Sequence, residues 1–459
     1  MVPATIPHFL PNKPGMMKSK HPHVISLATL ALALPAAADV IYSNLQEISI
    51  PNTYAGVYLD VNGSNGWNTD MFNPIAGWDI NPFSGGSVVA NSPAFQPVRG
   101  GTTSMSPILN LATGSSVGSS SVFSTFTWDN DGNPATPAVP GYGGSQTHLG
   151  TGIGQFTAGQ EGYIGFQLNG TNYGWMRVVL GGATPVIKDW AYDTSGAFIA
   201  TGNILQDGST VTLDSAFGSF NLGSAITGSN SVVKTGANSV VITGTNSYGG
   251  TTAVSNGSLL VNGSLTGSGA VTVAAGAVLG GSGSIAGGVT IEGGILSPGA
   301  SIESLATGAL VFNGGTFYYE MDSSAAASVA ADFQNVFGNL ALSGTVALDL
   351  TDLAATPAAF TPDTSLSLIK YAGTWNGGFF TYAGNELGNN EVFTAGPNTW
   401  RINYGATVGG LNFASEYGEP GGRFINLTAV NLTAVPEPGS WIALGCLIGS
   451  GAFLRRRHR

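Results

Sequence analysis

The sequence predicts an all-β protein: a β-sandwich or jelly-roll-like head, a short parallel β-solenoid, a C-terminal β-rich block and a terminal single transmembrane helix. Three observations predict this class. The 459-residue chain has 69 glycines and 8% charged residues, a composition typical of short strands and tight turns. An Asn-Gly pair separates two alternating stretches, and apolar residues recur at a near-constant spacing in the middle of the chain. Since 43% of the residues are apolar, the chain can bury a core, which disordered chains cannot.

The charged residues are unevenly distributed. All 25 acidic residues but only seven of the 14 basic ones lie between residues 39 and 454, so this body has a net charge of −18 while the whole chain has −11. Such a body repels phosphate backbones, and we expect no nucleic-acid partner. The only cysteine, Cys446, lies in the last apolar stretch, which excludes a disulfide framework and a Cys-based zinc site. We expect no cofactor.

Residues 1–38 have the pattern of a signal peptide. Basic residues precede an apolar stretch, which small residues follow. We expect signal peptidase to read Ala36 and Ala38 and to cleave after Ala38, which leaves Asp39 as the mature N-terminus. Residues 1–15 fit no part of this pattern and are explained most simply by a wrongly assigned start codon. A buried core helix is the alternative for the apolar stretch.

Residues 39–205, here named the head, have several short alternating stretches. The clearest is Tyr163–Leu168, followed by Asn169–Gly170 and the return strand Thr171–Leu180. Asn-Gly between alternating strands predicts a hairpin, because both turn residues accept positive φ. The residues expected to share a face on each strand are Ile164, Phe166 and Leu168, and then Tyr173, Trp175, Arg177 and Val179. We predict that the aromatic side chains of the return strand fill the core; the alternative is that they stack on sugar rings.

Residues 206–332 are repetitive. Val271–Val273 recurs 18 residues later as Val289–Ile291, a period that suits one coil of a β-solenoid. In such a coil, inward apolar residues stack on their copies in the next coil. The leucines expected to stack in this way are Leu260, Leu279 and Leu296.

Glycine-rich segments mark the corners of these coils. Ile242–Thr252 is followed by Gly257–Gly263, Gly293–Gly299 and Gly314–Phe317. Together they resemble the autotransporter-associated β-strand repeat. The resemblance implies a right-handed parallel β-helix at a bacterial surface, and about one repeat is present, so the helix should be short.

Residues 333–432 return to strand-like stretches. These are Leu340–Asp349, Ser365–Tyr371, Arg401–Tyr404 and Phe424–Leu432. We interpret this block as a cap or extension over the open end of the solenoid. A separate small sandwich is the alternative.

Residues 435–459 have three consecutive parts. Pro436, Glu437 and Pro438 come first, and the prolines keep this junction extended. The 14-residue apolar stretch that follows is short for a bilayer span, for which about 20 residues are usual. It consists of Trp441, Ile442, Ala443, Leu444, Gly445, Cys446, Leu447, Ile448, Gly449, Ser450, Gly451, Ala452, Phe453 and Leu454. The basic cluster expected to stay in the cytoplasm consists of Arg455, Arg456, Arg457 and Arg459.

In this order and at the chain end, the three parts closely resemble the PEP-CTERM sorting signal of Gram-negative bacteria. The resemblance implies an exosortase, a membrane-embedded cysteine protease, as the partner that recognises the tail. It also implies an inner-membrane-anchored precursor that faces the periplasm and then reaches the cell surface or the extracellular space. The Pro-Glu-Pro triplet is here a recognition element of a substrate, with no catalysis of its own.

Candidate catalytic groups are few. The one histidine of the body, His148, lacks a nucleophile-elbow sequence around it. Glu320 with Asp322, and Asp189 with Asp193, are carboxylate pairs of the kind that glycosidases use. The repeat region has a single basic residue, however, whereas β-helix enzymes that cleave uronates resemble one another in basic clefts. We therefore expect solvated carboxylates and no catalytic residue.

A weak calcium candidate is the run that contains Asp129, Asp131 and Asn133, with Asp60–Ser64 as a similar fragment. The run lacks the glutamate that closes an EF-hand loop. An Asx-rich turn is the favoured interpretation. We otherwise expect no metal site.

These features predict an exported structural or adhesive protein of the cell surface or extracellular matrix, without catalytic activity. One alternative is a carbohydrate-binding surface protein that uses the head, with an extracellular polysaccharide as partner. A further alternative is a β-helix enzyme that degrades polysaccharide.

Overall fold

The computed structural model describes the chain between Ala38 and Asn431. Every regular element in the described residues is a β-strand, so the all-β class is confirmed. No helix in this part of the chain is long and apolar enough to cross a membrane, and the predicted span lies outside it. Between Ala38 and Asn431, the residues not described are 54, 64, 84–86, 91–93, 102–107, 124–155, 300, 325–329 and 414–421.

The head is built around an antiparallel meander of β10, β11 and β12. Strands β7 and β8 pair with one edge of the meander, and β1 and β2 pair with the other. A second sheet has the order β4-β3-β5-β6. The strands of the head are β1 (Ala38–Tyr42), β2 (Ile48–Ser49), β3 (Tyr58–Leu59), β4 (Trp67–Asn68), β5 (Ile80–Phe83), β6 (Ser87–Ala90), β7 (Phe95–Pro97), β8 (Asn110–Leu111), β9 (Ser116–Val117), β10 (Glu161–Leu168), β11 (Asn172–Val179), β12 (Val186–Asp193) and β13 (Ile199–Ala200).

The predicted hairpin is confirmed. β10 and β11 pair along their whole length, and the turn residues Asn169 and Gly170 have φ values of 50° and 76°. Ile164, Phe166 and Leu168 share one face, as expected, and belong to a core that the second sheet also lines. This face of the meander is therefore buried under a second layer of strands.

Beyond the head, the chain winds into a coil of parallel strands, here named the stack (residues 204–322). β14 pairs antiparallel with β15. From β15 onward, successive strands occupy three ladders in turn, so each strand pairs in parallel with a strand of the next coil. The strands are β14 (Ile204–Asp207), β15 (Thr210–Asp214), β16 (Phe220–Leu222), β17 (Ser231–Thr235), β18 (Ser239–Ile242), β19 (Thr245–Asn246), β20 (Thr252–Val254), β21 (Ser258–Val261), β22 (Ser264–Leu265), β23 (Val271–Val273), β24 (Val278–Gly281), β25 (Ser284–Ile285), β26 (Val289–Ile291), β27 (Ile295–Pro298), β28 (Ser304–Thr307) and β29 (Leu310–Asp322).

The register of the stack confirms one predicted repeat and corrects another. Val271–Val273 lies directly opposite Val289–Ile291, 18 residues later. Leu279 also lies opposite Leu296, but the residue opposite Leu279 on the preceding coil is Leu259, and Leu260 lies opposite Gly280. The prediction that Leu260 stacks on Leu279 was therefore wrong. The coils have unequal lengths, and a one-residue shift moves a side chain to the other face of a strand.

The C-terminal block continues the stack. β32 pairs in parallel with β29, while β31 and β33 extend the third ladder before β38, β37 and β36 add antiparallel strands. Its inward side chains belong to the same hydrophobic core as those of the stack. The strands are β30 (Ala330–Ala331), β31 (Phe333–Val336), β32 (Leu340–Asp352), β33 (Ser365–Tyr371), β34 (Phe380–Tyr382), β35 (Asn385–Glu386), β36 (Val392–Ala395), β37 (Asn398–Ala406) and β38 (Arg423–Ala429).

The first strand joins the head to the stack. β1 pairs antiparallel with β12 of the head and parallel with β16 of the first coil. One hydrophobic core extends from the Trp175 face of the meander through the stack. The head and the stack therefore share both a sheet and a core. The domain boundary expected between residues 205 and 206 falls inside β14.

Candidate functional sites

Several predicted site residues lie outside the described part of the chain. They are the cleavage residue Ala36, the calcium candidates Asp129, Asp131 and Asn133, His148, the sorting motif Pro436–Pro438, the apolar stretch 441–454 and the basic cluster 455–459. Ala38, the other cleavage residue, is the first residue of β1. The predicted mature N-terminus therefore lies at the strand that connects the head to the stack.

A buried ion pair lies beside this connecting strand. Nε of Arg177 donates to Oδ1 of Asp189 at 2.8 Å, and its NH2 group donates to Oδ2 of Asp189 at 2.5 Å. The same NH2 group donates to the carbonyl oxygen of Gln206 in β14 at 2.7 Å. The hydroxyl of Tyr42 in β1 donates to Oδ2 of Asp189 at 2.8 Å. The network thus connects two strands of the head, the N-terminal strand and the first strand of the stack.

The electrostatics of this network follow from burial. Asp189 is 0% exposed and Arg177 is 2% exposed. Burial raises the pKa of the Asp189 carboxyl, while the hydrogen bonds and charge of Arg177 lower it. Burial, together with the nearby Asp189 charge, raises the pKa of Tyr42 well above its usual value, so its hydroxyl remains a donor. Each charged group depends on the other, because an unpaired buried charge is costly.

The carboxylate pair Asp189 and Asp193 does not form a catalytic dyad in this structure. Asp193 accepts hydrogen bonds from the hydroxyl of Ser195 at 2.9 Å and 3.0 Å and from the backbone N–H of Ala197 at 2.7 Å. It therefore holds the turn after β12, while Asp189 binds Arg177.

The aromatic residues of the return strand belong to the core, as predicted. Trp175 is 0% exposed, and its Nε1 donates to Oδ1 of Asn203 at 3.0 Å. Its ring packs edge-on against Tyr163, with 5.6 Å between the ring centroids. Tyr173 is also buried and stacks on Phe123. These rings are covered and do not provide a face for a sugar.

The pair Glu320 and Asp322 likewise has local structural contacts. Glu320 is buried, and the hydroxyl of Tyr318 lies 3.4 Å from its Oε1 as a donor. Asp322 accepts from the backbone N–H and the hydroxyl of Ser324, at 2.9 Å and 2.6 Å. The expectation that such carboxylates are solvated was wrong for three of the four, because Glu320, Asp189 and Asp193 are 6%, 0% and 0% exposed.

Sequence reasoning did not single out Asp332, a fully buried carboxyl group between β30 and β31. Its oxygens accept hydrogen bonds from the backbone N–H groups of Glu320 at 2.8 Å and Glu303 at 3.2 Å. Burial raises the pKa of Asp332 to about 9, since the two N–H donors do not offset the loss of solvent. The carboxyl is therefore protonated at neutral pH. In the sequence, only its position between the apolar residues Ala331 and Phe333 indicates that Asp332 is buried.

The single basic residue of the repeat region, Lys234, points into the stack. Its Nζ donates to the carbonyl oxygens of Thr235, Gly236 and Asn256 at 2.7, 3.0 and 2.9 Å. Burial lowers its pKa to about 8. Lys234 thus hydrogen-bonds backbone groups at one corner and is not available to bind an anionic sugar.

The second calcium-like fragment, which begins at Asp60, forms a hydrogen-bonded turn. Oδ2 of Asp60 accepts from Nδ2 of Asn65 at 3.1 Å, and Oδ2 of Asp79 accepts from the backbone N–H of Val61 at 2.8 Å. Burial raises the pKa of Asp79 to about 6. Among the described residues, no cluster of three or more His, Cys, Asp or Glu side chains is arranged to hold a metal ion.

The head also exposes aromatic side chains, but at positions that the sequence did not single out as a site. The segment Gly66–Trp78, here named the aromatic loop, contains the two-residue strand β4 and leads to β5. Phe72 in this loop is 90% exposed and Trp67 is 48% exposed. Phe72 is the most exposed of the large apolar side chains in the described residues. Large apolar surfaces left in water often mark contact sites.

Comparison with models of known protein families and with curated proteins finds no match.

Proposed function

We propose that this protein is an exported structural or adhesive protein of a Gram-negative cell surface or extracellular matrix, sorted by an exosortase through its C-terminal tail. The observation that carries the proposal is the tail itself. Pro436–Pro438, an apolar stretch and a basic cluster follow one another at the chain end, as in PEP-CTERM sorting signals. The tail anchors the precursor in the inner membrane as a single transmembrane helix, with the basic cluster in the cytoplasm and the body facing the periplasm.

In this proposal the body is a rigid spacer that presents the head. The finer architecture is a sandwich-like head on a short right-handed parallel β-helix with a C-terminal cap. Three ladders of parallel strands support the β-helix, and right-handed crossovers between parallel strands account for about 98% of known cases. Stability in such a coil comes from the contacts between neighbouring coils, so the shape persists over its whole length.

The role is non-catalytic in this proposal. The carboxylates that the sequence offered as acid–base pairs have structural partners. Asp189 binds Arg177, Asp193 holds a turn, and Glu320 is buried beside Tyr318. The acidic body also suits a well-solvated extracellular protein.

Fractionation of the native bacterium tests the sorting proposal. The full chain is compared with a form that ends at residue 434 and with the triple variant Pro436→Ala/Glu437→Ala/Pro438→Ala. A matched control, Glu419→Ala/Pro420→Ala, removes the same residue types outside the tail. We expect the full chain and the control at the cell surface or in the medium, the shortened form in the periplasm, and the triple variant in the inner membrane. Equal surface and medium fractions for all four forms would refute the proposal.

A second candidate function is carbohydrate binding by the head. The observation that favours it is the exposure of Phe72 and Trp67 on the aromatic loop. The return-strand residues that first pointed to this function, Tyr173 and Trp175, are buried and do not support it. Polysaccharide degradation has no comparable support, because the carboxylate pairs considered for it have structural partners.

A further inference from the structure

The aromatic loop carries the most exposed ring in the described part of the head, where Phe198 is also 56% exposed. Two tryptophans of the head, Trp175 and Trp190, are buried and donate hydrogen bonds to the side-chain oxygen of Asn203 and the carbonyl oxygen of Val61. In the loop, by contrast, Phe72 presents almost its whole ring to solvent. Solvent exposure of Phe72 gives no stability to the fold, and it leaves the ring free for a contact outside the chain.

Hydrogen bonds hold the tip of the loop in one conformation. The backbone N–H of Phe72 donates to Oδ1 of Asp70 at 3.0 Å, and the N–H of Asn73 donates to the carbonyl oxygen of Asp70 at 3.2 Å. Nδ2 of Asn68 closes the turn by donating to the carbonyl oxygen of Asn73 at 2.9 Å.

The base of the loop is fixed as well. Nδ2 of Asn65 donates to the carbonyl oxygen of Ala76 at 3.1 Å. The ring of Trp78 packs edge-on against Tyr58, with a centroid distance of 5.2 Å. A loop backbone held in place before binding loses less conformational entropy when a ligand arrives.

The charge of this region selects among the ligands that stack on aromatic rings. Between Asp39 and Pro97 the chain has no lysine or arginine, and the exposed Asp70 lies in the loop. Anionic lipids, uronate polymers and nucleic acids would meet negative charge with no basic residue in this segment to balance it. A neutral hexose ring has apolar C–H faces that suit the aromatic rings and carries no charge for Asp70 to repel.

We propose that the aromatic loop is a binding site for neutral polysaccharide, with the rings of Phe72 and Trp67 as the stacking faces. The proposal rests on the second candidate function and assigns it to a site and a ligand class. It places the contact on β4 and the segment between β4 and β5, and not on the return strand of the meander. Its partner is a chain of uncharged hexoses, as found in extracellular polysaccharides.

Affinity electrophoresis of the mature protein tests this site. The probes are hydroxyethylcellulose, dextran and galactomannan as neutral polymers, alginate as an anionic polymer, and vesicles of phosphatidylethanolamine and phosphatidylglycerol in a flotation assay. We expect retardation by at least one neutral polymer. Phe72→Ala should weaken that binding about tenfold or more, the size expected for a central aromatic contact. Phe72→Trp should keep it, and Phe337→Ala, which removes a 55% exposed ring from the C-terminal block, should leave it unchanged.

Three results would overturn the proposal: no retardation by any neutral polymer, equal retardation of the wild type and Trp67→Ala/Phe72→Ala, or vesicle binding that depends on Phe72. The last result would assign the loop to a membrane. Because both side chains are exposed, the thermal melting temperature of each variant should match that of the wild type. Cell fractionation of Phe72→Ala separates this proposal from the sorting proposal. Normal sorting with lost polymer binding supports the site, and normal polymer binding by the Pro-Glu-Pro variant shows that the two functions are independent.

Discussion

Replacing Arg177 with methionine is expected to destabilise the connection between the head and the stack. The substitution keeps much of the buried aliphatic volume but removes two hydrogen bonds to Asp189 and one to the carbonyl oxygen of Gln206. Asp189, which is 0% exposed, then keeps only the Tyr42 hydroxyl among its side-chain donors from this network. Removal of one partner of a buried ion pair costs about 3–5 kcal/mol.

The assay is amide hydrogen exchange followed by mass spectrometry on β1, β11 and β12. A loss of that size should speed exchange in these strands roughly a hundredfold or more, whereas the distant antiparallel strands β37 and β38 should change little. Asp189→Asn in the Arg177→Met background should recover part of the loss, because the amide carries no charge to bury. A lower pH should also narrow the gap between Arg177→Met and the wild type, because protonation neutralises the unpaired Asp189.

Lys188→Met is the matched control. Lys188 is adjacent to Asp189 and forms a partly exposed ion pair with Glu161 at 3.1 Å. Such pairs contribute about 0–1 kcal/mol, so exchange in β1 should hardly change. The reasoning would be refuted if Arg177→Met cost less than about 1 kcal/mol, or if it cost no more than the control.

Three further substitutions test other parts of the structure. Because burial raises the pKa of Asp332 to about 9, the folded protein holds a proton there that the unfolded chain releases near pH 4. Wild-type stability should therefore fall as the pH rises between these two values, and Asp332→Asn should remove this part of the pH dependence of the melting temperature. Identical pH profiles for the wild type and Asp332→Asn would contradict the assignment. At Gly281, φ is 108° and an added Cβ would lie 2.4 Å from the carbonyl oxygen of Val261, whereas at Gly276 φ is 78° and no atom lies within 4 Å of an added Cβ. Gly281→Ala should therefore lower the free energy of unfolding by several times the roughly 1–2 kcal/mol expected for Gly276→Ala. Equal losses in urea unfolding would show that the coils are not packed as described. Trp175→Ala should cost about 3–5 kcal/mol, and an unchanged melting temperature would place that ring outside the core.

Sequence reasoning succeeded where the determining physics is local. The hairpin at Asn169–Gly170 was predictable because both turn residues need positive φ, and both have it. The opposition of Val271–Val273 to Val289–Ile291 was predictable because that coil has a regular length.

It failed where distant segments decide the outcome. Leu260 was placed one residue out of register because the corners of neighbouring coils differ in length. The partners of Asp189 include Tyr42, 147 residues away in the sequence, and no local pattern predicts that contact. The position of β1 between the head and the stack is of the same kind, since it depends on pairing between three separate parts of the chain.

For the sites, the sorting tail stays a prediction, and the sequence did not single out the exposed rings of the head. Pro436–Pro438 and the segments after it form a linear motif, which needs no folded neighbours to be read. A sugar platform depends on which rings remain exposed after folding. Trp175 and Phe72 are both aromatic residues next to a methionine, and only the packing of the folded chain distinguishes the buried ring from the exposed one.

The most direct test of the central claim is protease shaving of intact cells that express either the full chain or the form ending at residue 434. The account predicts that peptides of the head and the stack are released from cells with the full chain. Cells with the shortened form should release them only after the outer membrane is opened. Equal release from intact cells of both kinds would contradict the claim that the tail directs this protein to the surface.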